Sequence, residues 1–188
     1  MRVIPTDIPE VLLIEPSVFA DARGFFLETF HAERYGAHGI PGPFIQDNHS
    51  RSVQGTLTQV LHLQVERPQA KLIRVVVGEI FDVAVDVRAW SPTFAKWVGV
   101  RLSADSFRQN DIPEGFAHGF SVLSPVAEVE YKCTDLYDPA GQVGLAWDDP
   151  TLAIPWGVPD AILSDRDRHN PTIAQALDRL PRYRSTKP

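Results

Sequence analysis

His62, Lys71 and Tyr131 are the residues of this chain whose types and positions could together do chemistry. His62 shares a period-two strand face with Thr58, Val60 and Gln64, a polar set for a buried strand. Lys71 opens the following strand, Ala70-Lys-Leu-Ile-Arg74, and Tyr131 lies on the inward face of a later one. A histidine, a lysine and a tyrosine projecting into one barrel supply a base, a cation and an acid. Such a set suits proton abstraction beside a carbonyl: the base takes the proton, the cation steadies the enolate oxygen and the phenol returns a proton. Each residue also has a plainer role, a buried ring or hydroxyl that is simply hydrogen-bonded. Metal chemistry fits less well. A strand-borne metal site usually needs two histidines at His-x-His spacing with a carboxylate and a further histidine. Here His62 is followed by Leu63-Gln64, and His118, within Pro113-Glu-Gly-Phe-Ala-His-Gly-Phe120, has no histidine nearby, so no metal is expected.

The elements that must position these groups read mostly as strands between Gly, Pro and Asp turns. In Ile80–Arg88, Phe81, Val83, Val85 and Val87 alternate with Asp82, Ala84, Asp86 and Arg88. In Glu128–Cys133, Val129, Tyr131 and Cys133 oppose Glu128, Glu130 and Lys132. Further strands are expected at Val11–Ile14, Phe25–Phe30, Thr56–Val65, Lys71–Val77, Trp97–Leu102, Phe120–Leu123 and Gly144–Trp147. Helical stretches are short, near His31–Ala37 and Ile173–Leu180. About ten strands and almost no helix predict an all-β sandwich or barrel, and a jelly roll whose mouth holds a small ligand is the preferred form. An immunoglobulin-like sandwich sits badly with one cysteine and so many polar groups on inward-capable faces. The 188 residues, without repeats or linkers, predict a single domain over 1–188. A net charge of −6 argues against a broad nucleic-acid or polybasic membrane surface. The single cysteine and the absence of a signal-like or membrane-spanning run predict a cytoplasmic protein.

The sequence resembles the dTDP-4-dehydrorhamnose 3,5-epimerase family, which are cupin jelly rolls (double-stranded β-helices) with short peripheral helices. The likeness is carried by Asp21-Ala-Arg-Gly-Phe-Phe-Leu-Glu-Thr-Phe30, Phe44-Ile-Gln-Asp-Asn-His-Ser50, Gln69-Ala-Lys-Leu-Ile-Arg74 and Gly78–Arg88. It continues through Ser91–Phe94, Lys96–Gly99, Ile112–Phe120, Tyr131–Thr134, Tyr137–Pro139, Trp147–Pro150 and Leu163–Asp167, in order across about residues 5–175. The resemblance implies that His62 is the base removing the C3 and C5 protons that flank a C4 ketone. It makes Asp167 the carboxylate partner of His62, Lys71 the enolate stabiliser and Tyr131 the acid on the opposite face. It puts a second pair, His118 with Asp82, near the sugar, and Tyr137 beside the same pocket. Arg23, Phe26, Glu28, Gln46 and Asn48 match the nucleotide-side motif, where arginine meets diphosphate. The implied substrate is dTDP-4-keto-6-deoxy-D-glucose, converted to dTDP-4-keto-L-rhamnose without a cofactor. The family's dimers exchange N-terminal strands, which implies a homodimer in which residues of about 1–30, Arg23 and Glu28 among them, serve the neighbouring site. Residues 171–188 would be a C-terminal helix and tail.

Two departures matter. The family writes its base strand Gly-x-Leu-Arg-Gly-Leu-His, whereas this chain reads Gly55-Thr-Leu-Thr-Gln-Val-Leu-His62, one residue longer and without the arginine. The lost cation is a contact of ~1.5–3 kcal/mol, and either Thr58 or Gln59 would have to occupy its place. The added residue demands a bulge or a register shift, and a one-residue slip would turn the upstream residues to the other face. The second departure is Gln109-Asn110-Asp111, where apolar residues are usual, and Asp111 is expected to add negative charge near the His118 turn. With these changes the alternatives are a 3-epimerase of a related deoxysugar nucleotide, or a non-catalytic sugar-nucleotide-binding cupin. The cations left to meet a diphosphate are Arg23 and Lys71, with Arg51 or Arg74.

Overall fold

The computed structural model describes residues 1–40 and 42–183. Its strands are β1 (Arg2–Pro5), β2 (Leu12–Glu15), β3 (Val18–Asp21), β4 (Gly24–Leu27), β5 (Gln46–Val53), β6 (Leu57–Gln64) and β7 (Lys71–Val77). There follow β8 (Glu79–Asp86), β9 (Trp97–Ser103), β10 (Gln109–Ile112), β11 (Phe116–Val122), β12 (Val126–Cys133) and β13 (Gln142–Gly144). Two short helices, α1 (Ala32–Gly36) and α2 (Ile173–Ala176), are peripheral, and a 3-10 turn at Leu177–Arg179 completes the expected C-terminal helical stretch. Residues 184–188 of the expected tail lie outside the described residues.

One sheet has the order β1-β2-β10-β7-β12-β5, and it faces a second with the order β13-β6-β11-β8-β9. All their ladders are antiparallel, as a jelly roll requires. Ile73, Val75, Ile80, Ala84, Leu102, Phe120 and Val129 fill the space between the sheets. The outer face of the second sheet is not solvated. Val83, Val85 and Val87 pack there beneath Leu152, Ile154, Trp156 and Leu180 of the C-terminal segment. The outer face of the first sheet carries a smaller cluster, Ile14, Leu72, Tyr35 and Ile40, roofed by α1 and its flanks. Both faces of β8 are therefore buried, and Asp82 and Asp86, on its polar-looking side, point between the sheets. No helix among the described residues is long and apolar enough to cross a membrane.

Some strand bounds differ from expectation. β11 begins at Phe116, so His118 is a strand residue and not part of an entry turn. Gly144 ends β13 where a strand of Gly144–Trp147 was expected, because Ala146 bonds to Pro171 instead of a ladder partner. β1, β3, β5 and β10 go beyond the sequence reading.

Candidate active site

The base strand carries the local distortion its length demanded. Phe120 pairs with Thr58 and His118 with His62, so Gln59, Val60 and Leu61 stand opposite Gly119 alone. Leu61 adopts a left-handed φ of 49° to make the turn. Two extra residues preserve the parity of the strand, so Thr58 and His62 both face inward and nothing upstream is inverted. Thr58 lies 3.5 Å from Ser52 on the facing sheet. Val60 departs from the expected face: the bulge turns it out into the apolar layer under the C-terminal segment. The side chain of Gln59 lies outside those described.

At one end of the sandwich the two sheets leave a cavity of about 400 Å³. β6 supplies His62 from one wall, while β7 and β12 supply Lys71 and Tyr131 from the other. Gln46, Asn48 and Tyr137 line the same space. The pairing register explains the convergence: Cys133 opposes Lys71 and Gln46, and Tyr131 opposes Asn48, so alternate residues of three adjacent strands share the inner face.

His62 is held at both ring nitrogens. Its Nε2 is 2.9 Å from Asp167 Oδ1, and its Nδ1 is 3.0 Å from the Gln142 amide nitrogen. An Nε2–H donated to the carboxylate and an Nδ1 lone pair facing the amide is the tautomer that satisfies both contacts. Ser164 donates its hydroxyl to Asp167 Oδ2 at 2.7 Å. Burial pushes the Asp167 carboxyl upward, but the hydrogen bonds from His62 and Ser164 outweigh it and hold the group below the ordinary aspartate value. Asn170 reaches within 3.5 Å of Asp167. It does so across Gly144, opposite His62, where a Cβ would stand 2.6 Å from its side chain. Burial draws the Lys71 ammonium below the ordinary lysine value, while Cys133 and Asp82 oppose that fall.

Behind His62 lies a second pair. His118 Nε2 is 2.6 Å from Asp82 Oδ1, both groups buried between the sheets. Burial lowers the proton affinity of His118, as do Lys71 and His62, against the pull of Asp82.

The nucleotide-side residues do not all meet in this cavity. Arg23 and Phe26 sit on the projecting β3–β4 hairpin, which forms a separate shallow pocket, and Glu28 pairs with Arg34. Arg51 and Arg74 are engaged on the outer face by Glu128 and Glu130, so they do not supply the cavity's charge. Arg166, which lines the cavity with Lys71, is a cation the sequence reading missed. It missed as well the contacts of Gln142 with His62, of Ser164 with Asp167 and of Asn170 with both. Arg166 and Ser164 lie inside the Leu163–Asp167 match, where their offsets of one and three from Asp167 were the available signal. Gln142 and Asn170 carry no such signal.

The family model described as dTDP-4-dehydrorhamnose 3,5-epimerase matches residues 5–175. A dTDP-4-dehydrorhamnose 3,5-epimerase of Shigella flexneri is 53% identical over 169 residues, 89% of this chain and 93% of that one. One of Neisseria gonorrhoeae is 51% identical over 177 residues, and the match spans 94% of this chain but only 54% of that longer relative. Among solved structures, the dTDP-6-deoxy-D-glucose-3,5-epimerase of Legionella pneumophila Philadelphia 1, in complex with dTDP-4-keto-L-rhamnose, superposes with a TM-score of 0.95 at 47% identity. That likeness covers 98% of this chain and 99% of the other.

Proposed function

The chain belongs to the dTDP-4-dehydrorhamnose 3,5-epimerase family, and from that premise we propose that its cavity epimerises dTDP-4-keto-6-deoxy-D-glucose at C3 and C5 to dTDP-4-keto-L-rhamnose. The observation that carries the mechanism is the His62–Asp167 contact of 2.9 Å, made at the wall of a cavity opposite Tyr131. With Nε2–H committed to Asp167, His62 Nδ1 takes the proton from the carbon beside the ketone. The C–H electron pair moves into the enolate, whose oxygen the Lys71 ammonium meets, and the phenol of Tyr131 delivers a proton to the other face. The ketone itself acidifies C3 and C5, so side-chain acid–base groups suffice for the two inversions.

Substrate incubated with the enzyme in deuterated water is expected to gain deuterium at both carbons. Exchange at C3 alone would replace this reading with a 3-epimerase, and no exchange with nucleotide sugar still bound would leave a binding protein. In Tyr131→Phe, wash-in of deuterium is expected within about tenfold of the native rate while formation of the inverted product falls about 100-fold. Equal losses in both would remove tyrosine from the acid's role.

The functional unit in this reading is a homodimer. Phe19, Phe25 and Phe26 are each more than 60% exposed on the β3–β4 hairpin, an apolar tip that favours a protein partner. A second copy would cover it and bring Arg23, Phe26 and Glu28 to the neighbouring cavity, adding a cation for the diphosphate. Sedimentation equilibrium should give a dimer, and Phe19→Asp with Phe25→Asp a monomer. A monomeric native protein would defeat the exchange.

A further inference from the structure

The His118–Asp82 pair has a third member that the reaction does not explain. Asn110, on β10, is fully buried and faces inward between Leu13 and Ile73. Its amide nitrogen donates to Asp82 Oδ2 at 2.8 Å, the oxygen that His118 leaves open. The other end of the same carboxamide, Oδ1, is buried without a partner, as is Nδ1 of His118. A leucine would fill nearly the same volume with no orphaned oxygen, so Asn110 costs stability at this position, and the bond to Asp82 is what it contributes in return.

We propose that Asn110 is a positioning residue of the active centre, holding Asp82 as an anion with both oxygens engaged and so fixing His118 as a neutral ring with its proton on Nε2. The chain of contacts reaches the cavity: Asn110 touches Asp82, Asp82 touches His118, and His118 lies directly opposite His62 across the β6–β11 ladder. Besides the pair's own Asp82 from β8 and His118 from β11, the ionisable groups acting here are His62 from β6 and Lys71 from β7, with Tyr131 of β12 packed on the same inner layer. β10 contributes Asn110, and β9 turns only Val98, Val100 and Leu102 towards β8 in this region. Asp82 supports the charge of Lys71. A pair that took up a proton would withdraw that support and add positive field beside His62.

The rate arm of the test rests on the epimerase reading, while the spectroscopic arm needs no substrate. In Asn110→Leu the carboxylate loses a donor and becomes the better proton acceptor, so the coupled pair protonates at higher pH. The acidic limb of kcat/KM is expected to move up by about one pH unit, with kcat about tenfold lower and KM within about twofold of native. Nitrogen-15 spectra of the free protein should show native His118 protonated at Nε2, and its titration should move upward in the variant by the same amount. Asn110→Thr, which keeps a donor in a side chain suited to a strand, should restore both towards native. An acidic limb and a His118 titration unchanged in Asn110→Leu would overturn the proposal. A native His118 carrying its proton on Nδ1 would overturn it even if the leucine variant failed to fold. Loss of turnover in every form with the His118 signals as described would count against the epimerase reading and leave the positioning intact.

Discussion

Replacing His62 with alanine should lower kcat by about 1,000-fold, the order expected when a general base is removed and roughly 4 kcal/mol of barrier. Asp167, the nearest carboxylate, cannot simply take over, because it meets the imidazole at Nε2, the side away from Nδ1, and removal of the ring leaves it set back from the substrate by the ring's breadth. The basic atom is Nδ1, since Nε2 faces Asp167, and in the free protein Nδ1 accepts the amide of Gln142 at 3.0 Å. Gln142 in turn accepts from the Tyr137 hydroxyl at 3.1 Å, so arriving substrate has to displace an amide tethered to the rim. Binding of dTDP should change less than about threefold, because the nucleotide does not need the imidazole. The measurements are turnover by a coupled assay and dTDP affinity by calorimetry. An alanine variant within tenfold of native turnover would take the base away from His62.

How much of this was legible in the sequence depended on whether a strand's inner face was apolar. β7, β8 and β12 alternate visibly, because Ile73, Val83, Val85 and Val129 bury their chains against large clusters. β5 escaped notice, although its burial alternates over all eight residues, since Gln46, Asn48, Ser50 and Ser52 form its inner side and read like the outer one. A strand lining a polar cavity loses the hydrophobic periodicity that would reveal it. β10 was missed for the same reason, with Gln109, Asn110 and Asp111 all buried and all polar. Pattern alone brought His62, Lys71 and Tyr131 together. Asp167 came only with the resemblance, since it arrives from a 3-10 turn more than a hundred residues away, where no periodicity relates it to β6. The base strand was readable as too long, but not how the excess would fold. Three residues opposite the single Gly119 keep Thr58 and His62 both inward, and the left-handed Leu61 makes the turn.

Asp111 is the position where structure and sequence part most. Expected to place a charge beside His118, it points the other way, because Asn110 takes the inner face and Asp111 the outer. There it opposes Leu12 and Leu72, 1% exposed, with Oδ1 unpartnered among the side chains under α1. Burial pushes its carboxyl up to about 7. An unfolded aspartate titrates near ~3.9. Below that value both states are protonated and the group is neutral to stability. As pH rises, the unfolded chain releases its proton first while the fold retains it, so stability falls until the folded carboxyl also ionises near 7. Asp111 alone should therefore cost about 4 kcal/mol above neutrality, of which about 3 kcal/mol appears between pH 5 and pH 8. Urea unfolding of native protein and Asp111→Asn at those two pH values isolates this contribution, because every other ionisable group is common to both. The native protein should lose about 3 kcal/mol more than the asparagine variant across the interval. Asp111→Leu should be the most stable of the three at pH 8, with its side chain packed against Leu12 and Leu72. Parallel pH dependences for native and Asp111→Asn would mean that the carboxyl is solvated, and that β10 does not bury it as the register with Leu12 and Leu72 requires.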